Sequence, residues 1–352
     1  LQQGWMNTSA FSVIDVDKQE FLGAIVVDEP ERGAAGIWSI ACNDESVFIS
    51  HSGTHEVSVI DHKAMLEKFL NYPNKAVLDY DLTFLYGLRE RIPLEGNGPR
   101  NMILNGDKLI IPTYFADILN IMDINTNEVT SVELNPGREE TAENKGERYF
   151  NDASHCFQNW QSCNGCHPGD ARTDGMNWDL MNDGVGNSKN CKSMLFSHMT
   201  PPNMISGIRE HAERAVRAGF NFIQFFEVSE EDAACVDAYL KSLRPVPSPY
   251  LVNGELSDLA KEGQKVFEKL KCGECHSGVY YTDMKYHRIG EDIEFEKGWD
   301  TPTLREVWRT APYLFDGRAA TMKEVFSVHK HGIEKKVSEK DIEALTEYVN
   351  SL

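Results

Sequence analysis

No stretch of this chain approaches the roughly 18–20 consecutive apolar residues of a membrane-spanning helix, so no membrane span is expected within it. Positive charge is also short. The chain has 35 Lys and Arg against 55 Asp and Glu, a net charge of −20 at pH 7. That balance argues against nucleic acid or an anionic lipid surface as a partner. It suits a basic redox partner equally well as an acidic face kept for solubility. The chain opens Leu1-Gln2-Gln3, without the charged and apolar regions of a signal peptide. What is present is enough for packed cores, at 41% hydrophobic residues, and 352 residues predict two or three domains.

Two pentapeptides organise the chain: Cys163-Asn164-Gly165-Cys166-His167 and Cys272-Gly273-Glu274-Cys275-His276. Two thiols on one tight turn, followed at once by an imidazole, form the attachment pattern of c-type haem. The cysteines bond the macrocycle, and His167 or His276 is carried under the iron as proximal ligand. A zinc ribbon needs its two Cys pairs within roughly 15–20 residues, and these lie far further apart. A thioredoxin-like redox pair has no use for the His. Two covalently bound c-type haems are therefore expected. Their attachment is normally made outside the cytoplasm, which predicts a periplasmic or otherwise extracytoplasmic protein and a leader, with more chain, upstream. Cys42, Cys156, Cys191 and Cys235 remain. Cys156 with Cys191 is the candidate bridge, against a default of free thiols.

Residues 1–137 read as short strands. Phe11–Val16 and Val57–Asp61 each run to an Asp before a turn, and Ile37–Ser50 alternates apolar segments around Asn43-Asp44. The plan recurs at Met102–Ile111 and Ile118–Asn127. Four short strands per repeat predict a partial, all-β, propeller-like domain of two to three blades, and the pattern loosely resembles the YVTN-type repeat. His51, His55 and His62 read as ordinary core or surface histidines.

From about 138 the chain turns helical and repeats itself. Gly146–Phe150 precedes the first haem motif and Gly263–Phe267 the second. Ser229-Glu-Glu-Asp232 and Ser338-Glu-Lys-Asp341 look like capping boxes. Ile342, Leu345, Tyr348 and Val349 share one helical face. Thr200–Gly207 matches Thr310–Gly317. This predicts two all-α class I cytochrome c domains, over 138–248 and 249–352, joined through Pro245-Val-Pro-Ser-Pro249.

Thr303-Leu304-Arg305, Thr310-Ala311-Pro312-Tyr313, Asp316-Gly317 and Met322–Val325, with two haem motifs in order, resemble the bacterial di-haem cytochrome c peroxidase/MauG family over about 140–352. The resemblance implies a six-coordinate C-terminal haem, whose distal ligand falls on His329, with His331 and then Met322 as alternatives. The matching position of the first copy is Gly219, which cannot ligate, so an open or displaceable position is implied at the first haem. The family's acid–base Glu falls near Glu227, although direct counting lands on Phe225. The family's distal His has no counterpart; His198 is the first candidate in the loop 168–199, ahead of Met176, Met194 and Met199. The tryptophan between the haems corresponds to Ile205, with Trp178 or Trp308 as replacements. Asn190, Thr310 and Pro312 match a calcium site.

The function these features imply is reduction of hydrogen peroxide at the N-terminal haem, with electrons from a small redox protein entering at the C-terminal haem. MauG-like oxidation of a protein substrate, and a non-enzymatic electron-transfer or redox-sensing role, are the alternatives.

Overall fold

The computed structural model describes residues 7–179, 188–289, 296–333 and 335–352. The stretch 180–187 of the loop 168–199 lies outside them. The chain divides into two compact units, one of Leu1–Gly165 with Ala218–Val236, the other of Cys166–Arg217 with Asp237–Leu352.

In the first unit the hairpin Ala10–Asp15/Glu20–Val26 is followed by two four-stranded antiparallel sheets. One runs Ile37–Cys42, Ser46–His51, Glu56–Asp61, Arg89–Pro93 in space. The other runs Ile103–Asn105, Lys108–Thr113, Ile118–Asp123, Val129–Glu133. The turn at Asn43 forms because its side-chain oxygen accepts from the backbone N–H of Glu45 and of Ser46.

The expectation of all-β propeller blades does not hold. The described residues are 29% helical and 23% strand, in many small sheets that close no propeller. Asp61 ends a strand, but its carboxylate accepts from Ala64 N and so caps a helix, His62–Leu70, inserted between sheet strands. Met65 and Phe69 of that helix are buried with Ile25, Ile49 and Ile60. The β-rich part also holds the segment just before the first Cys-x-x-Cys-His motif. Ala153 N donates to Gly53 O (2.9 Å) and Gly33 N to Gln158 O (2.7 Å), and Trp160 is buried with Val26 and Leu82.

Two titratable groups meet at Ala34 in this unit. Asp28 accepts from its N–H (2.6 Å) and His51 Nδ1 donates to its carbonyl (3.0 Å). His51 Nε2 takes the Ser58 hydroxyl (2.8 Å), so the imidazole is a satisfied core group. Burial pulls the His51 pKa from 6.5 down to about 4 and pushes that of Asp28 from 3.8 up to about 6. As pH falls from 6.5 to about 4, the unfolded chain takes up the His51 proton first and stability drops. As pH falls from about 6 to 3.8, the folded state takes up the Asp28 proton first and stability rises. The two nearly cancel. In Asp28→Asn the His51 loss stands alone, and unfolding free energies from urea titrations at pH 7 and pH 4 are expected to differ by about 3 kcal/mol more than in the wild type. An unchanged difference would contradict this.

The second unit is not all-α either. It carries three two-residue ladders: Asn177–Trp178 on Lys189–Asn190, Leu251–Val252 on Glu255–Leu256, and Tyr286–His287 on Trp299–Asp300. Long runs around the haem motifs must satisfy their backbone groups, and pairing with one another does so where helix periodicity is absent.

Helices Asp258–Lys269 and Glu339–Asn350 form its core; Ser338 caps the second as the capping pattern predicts, and Ser257 caps the first. Ser229 likewise accepts from Asp232 N (3.1 Å). A Cβ on Gly263 would sit well inside contact distance of Ala344 O and the Tyr348 side chain, so only glycine allows this crossing. Gly263→Ala is expected to destabilise by about 2–3 kcal/mol; a midpoint within error of wild type would show that the helices separate freely.

The matched stretches adopt one conformation. Pro201-Pro202 and Ala311-Pro312 are both cis, and Met204 and Leu314 have φ of 73° and 71°. Gly207 and Gly317 have φ of 63° and 70°. Each turn is closed by one bridge, Asn203 to Arg209 and Tyr313 to Ala319. The internal repeat is therefore structural as well as textual.

Candidate haem centres

Cys163–Cys166 form one helical turn, and His167 leaves it immediately. Cys272–Glu274 form a 3-10 turn, entered through Lys271 in the left-handed region (φ 64°). None of the eight cysteines is disulfide-bonded. The default of free thiols holds, and the candidate Cys156–Cys191 bridge is not formed; Cys191 Sγ lies 3.2 Å from Cys166 O and 3.6 Å from His167 Nδ1. Loss of hydration pushes the Cys163 thiol up to about 12 and that of Cys272 up to about 11, so both stand as protonated thiols.

The two histidines are oriented alike. His167 Nδ1–H donates to Arg172 O (3.1 Å) and His276 Nδ1–H to Tyr281 O (3.2 Å), a carbonyl five residues on in both copies. In the neutral imidazole this bond leaves Nε2 with the lone pair that a metal would take. Sequence reading missed this brace, because a backbone carbonyl leaves no residue-type signal.

At the second motif the structure brings His331 to His276, with ring centroids 6.3 Å apart. Two imidazoles on one metal, each with a bond of about 2.0–2.1 Å and about 1.1 Å from nitrogen to ring centre, stand about 6.3 Å apart. Burial, and then His276 beside it, pulls His331 down to about 4; burial also lowers His276. Both are therefore neutral at pH 7, the form that binds metal. His329 is half-exposed. Helix Met322–Ser327 ends before it, and Lys330 between the two histidines is left-handed (φ 51°). The first motif differs. Burial opposes the His167 imidazolium, but Cys191 beside it prevails and the pKa rises to about 9. Metal binding there displaces that proton.

These features fit covalently held haem: paired free thiols on a turn, an oriented Nε2 after each pair, and the spacing at His276. In addition, Trp308 Nε1 and Arg309 Nη2 are buried donors without a hydrogen-bond partner, of the kind a haem propionate would take.

The remaining candidates lie as follows. Gly219 ends the helix Ala212–Gly219, with nothing within 4 Å of where a Cβ would stand. Glu227 is exposed, in the irregular run before the helix Glu230–Ser242. His198 is buried, and its Nε2 is 3.0 Å from Asp237, which also pairs with Arg217. Trp178 Nε1 donates to Asp174 (3.0 Å). Asn190 Nδ2 donates to Pro312 O (2.5 Å) and its side-chain oxygen is buried without a partner, while the Thr310 hydroxyl donates to Val307 O (3.1 Å). Asn190 thus turns its amide nitrogen, not its oxygen, to the Pro312 carbonyl, and calcium is not supported; no group of three or more His, Cys, Asp or Glu side chains among the described residues is arranged to hold a metal ion. Among the described residues no helix is long and apolar enough to cross a membrane.

Paired thiols, oriented imidazoles and the internal repeat define a haem-protein class, and comparison with known proteins agrees. The chain is 27% identical over 272 residues to hydrazine synthase subunit gamma of Kuenenia stuttgartiensis, spanning 59% of this chain and 76% of that protein. A structure of Kuenenia stuttgartiensis hydrazine synthase under xenon pressure shares the fold at a TM-score of 0.55 and 23% identity, over 62% of this chain and 89% of that one. A MauG-like protein associated with microbial copper homeostasis overlaps at a TM-score of 0.48 and 18% identity, over 63% and 91%. No family model matches. Motifs and relatives together indicate a haem-dependent oxidoreductase.

Proposed function

We propose that this chain is an extracytoplasmic, di-haem c-type oxidoreductase, in which the centre at His276 passes electrons and the centre at His167 transforms a small substrate. The observation that carries this division is His331 against His276, with Asn221, which offers no imidazole, at the matching place of the first copy. A c-type haem supplies an iron that exchanges single electrons and, with an axial position open, binds small oxygen or nitrogen compounds. The chain's own residues do the rest. Cys163 and Cys166 anchor the first group and Cys272 and Cys275 the second. Arg172 O and Tyr281 O hold the Nδ1 protons and so aim each Nε2. His331 closes the second centre to substrate. The net charge of −20 suits a small basic redox protein as electron partner.

Likeness to hydrazine synthase subunit gamma favours hydrazine formation as the reaction of the first centre. Ammonia and hydroxylamine lie one oxidation level below and above hydrazine, so their condensation to hydrazine and water balances without an added oxidant. The second reading, peroxide reduction, is favoured by the family pattern Thr310–Gly317 with Met322–Val325. The exposure of Glu227 weakens it, since a proton-transferring acid belongs beside the substrate in a shielded site.

The test gives the holoprotein 15N-ammonium with unlabelled hydroxylamine, and separately hydrogen peroxide with a reduced donor. Hydrazine carrying one 15N supports the first reading; donor oxidation by peroxide alone favours the second. Two low-spin haems inert to both would leave only electron transfer.

A further inference from the structure

We propose that Glu306 is a positioning residue for the axial histidine of the first haem, acting through Arg172; this rests on haem ligation at His167. Glu306 is buried, 1% exposed, and grips Arg172 with both oxygens: Oε2 to Nε at 2.7 Å and Oε1 to Nη2 at 3.0 Å. The Arg172 carbonyl accepts the His167 Nδ1 proton. Arg172 is fixed further by donation to Arg244 O (2.9 Å) and Asp170 O. Arg309 Nε (2.8 Å) and Val246 N also reach the Glu306 carboxylate. A planar bidentate fork held at both ends leaves the carbonyl little freedom.

The internal repeat shows that charge is not needed for bracing alone. The residue of the first copy that matches Glu306, at the same offset as Met204 to Leu314, is Phe196. Both are left-handed, with φ of 57° and 62°. Each reaches the motif of the other copy. Phe196 packs on Tyr280 (centroids 5.0 Å), next to the Tyr281 whose carbonyl holds His276, while Glu306 holds Arg172. The second histidine is thus braced by aromatic contact, and Tyr281 is steadied by the Tyr348 hydroxyl (3.3 Å) and Arg305 (4.8 Å from its ring). A buried ion pair is a costly substitute for such packing. What it adds at His167 is electrostatic. A fixed, anion-backed acceptor strengthens the Nδ1–H···O bond, makes Nε2 a stronger donor and favours the oxidised iron.

The experiment is redox titration of the holoprotein, with haem stoichiometry read first. Fewer than two haems in the wild type would overturn the haem reading itself, and this proposal with it. Glu306→Gln keeps shape and removes charge. The electron-uptake equilibrium of the first haem is expected to rise at least tenfold, about 59 mV for one electron, while the second haem stays put. Should that variant fail to fold, the double variant Arg172→Met with Glu306→Leu replaces the pair by apolar groups, a change that commonly preserves stability. That pair leaves net charge unchanged, so a smaller rise, still confined to the first haem and due to the loosened Arg172 carbonyl alone, is expected there. With two haems bound, unchanged potentials, or an equal shift at both, would overturn the positioning role.

Discussion

Replacing His331 with alanine is expected to abolish one low-spin haem signal and create a high-spin one, while His329→Ala leaves the spectrum unchanged. The expectation follows from placement. His331 is the imidazole opposite His276, at the separation two ligands of one metal require, and its depressed pKa keeps it neutral. Removing it opens a coordination position in a site that burial has already dried. The second centre should then respond to small added ligands such as cyanide or azide, as only the first is expected to in the wild type. EPR and optical spectra of both variants decide the matter. Loss of the low-spin signal in His329→Ala, with His331→Ala unaffected, would reverse the assignment.

Changing Cys163 and Cys166 together to serine is expected to halve the haem content, and the same change at Cys272 and Cys275 should remove the other half. Serine cannot form the thioether, so the anchoring bonds disappear while the turn that carries the histidine keeps its size. Haem content is read by alkaline pyridine spectra after denaturing extraction, which retains only covalently held groups. The first pair should abolish substrate chemistry and leave the second centre's low-spin signal intact; the second pair should remove that low-spin signal and cut the supply of electrons from the donor to the first centre. Full retention of haem in either variant would contradict covalent attachment at that motif. The two variants also separate the roles of the centres, since each leaves the other histidine brace untouched.

Much of the molecule is legible in the order of its residues. The two Cys-x-x-Cys-His motifs, the caps at Ser229 and Ser338, the close-packing Gly263 and the match of Thr200–Gly207 to Thr310–Gly317 all depend on local spacing, and local spacing is what a sequence states directly. The errors arose where one residue's backbone angle or a distant partner had the deciding vote. Asp61 looks like the end of a blade strand, yet its side chain caps a helix that interrupts the sheet, and no propeller closes. Counting along the repeat favours His329, but the left-handed Lys330 lies between the two histidines and it is His331 that meets His276. Cys191 reads by default as a free thiol and is one, but nothing in the sequence places it against His167.

The sequence by itself determined which atoms can bond a haem and that the unit is made twice, because those facts follow from residue type and short-range spacing. Tertiary structure alone decided which imidazole lies beside His276, which carbonyls orient the two motif histidines, and that Glu306 stands behind one of them. These depend on contacts between residues far apart in the chain, whose meeting is set by the packing of the whole unit.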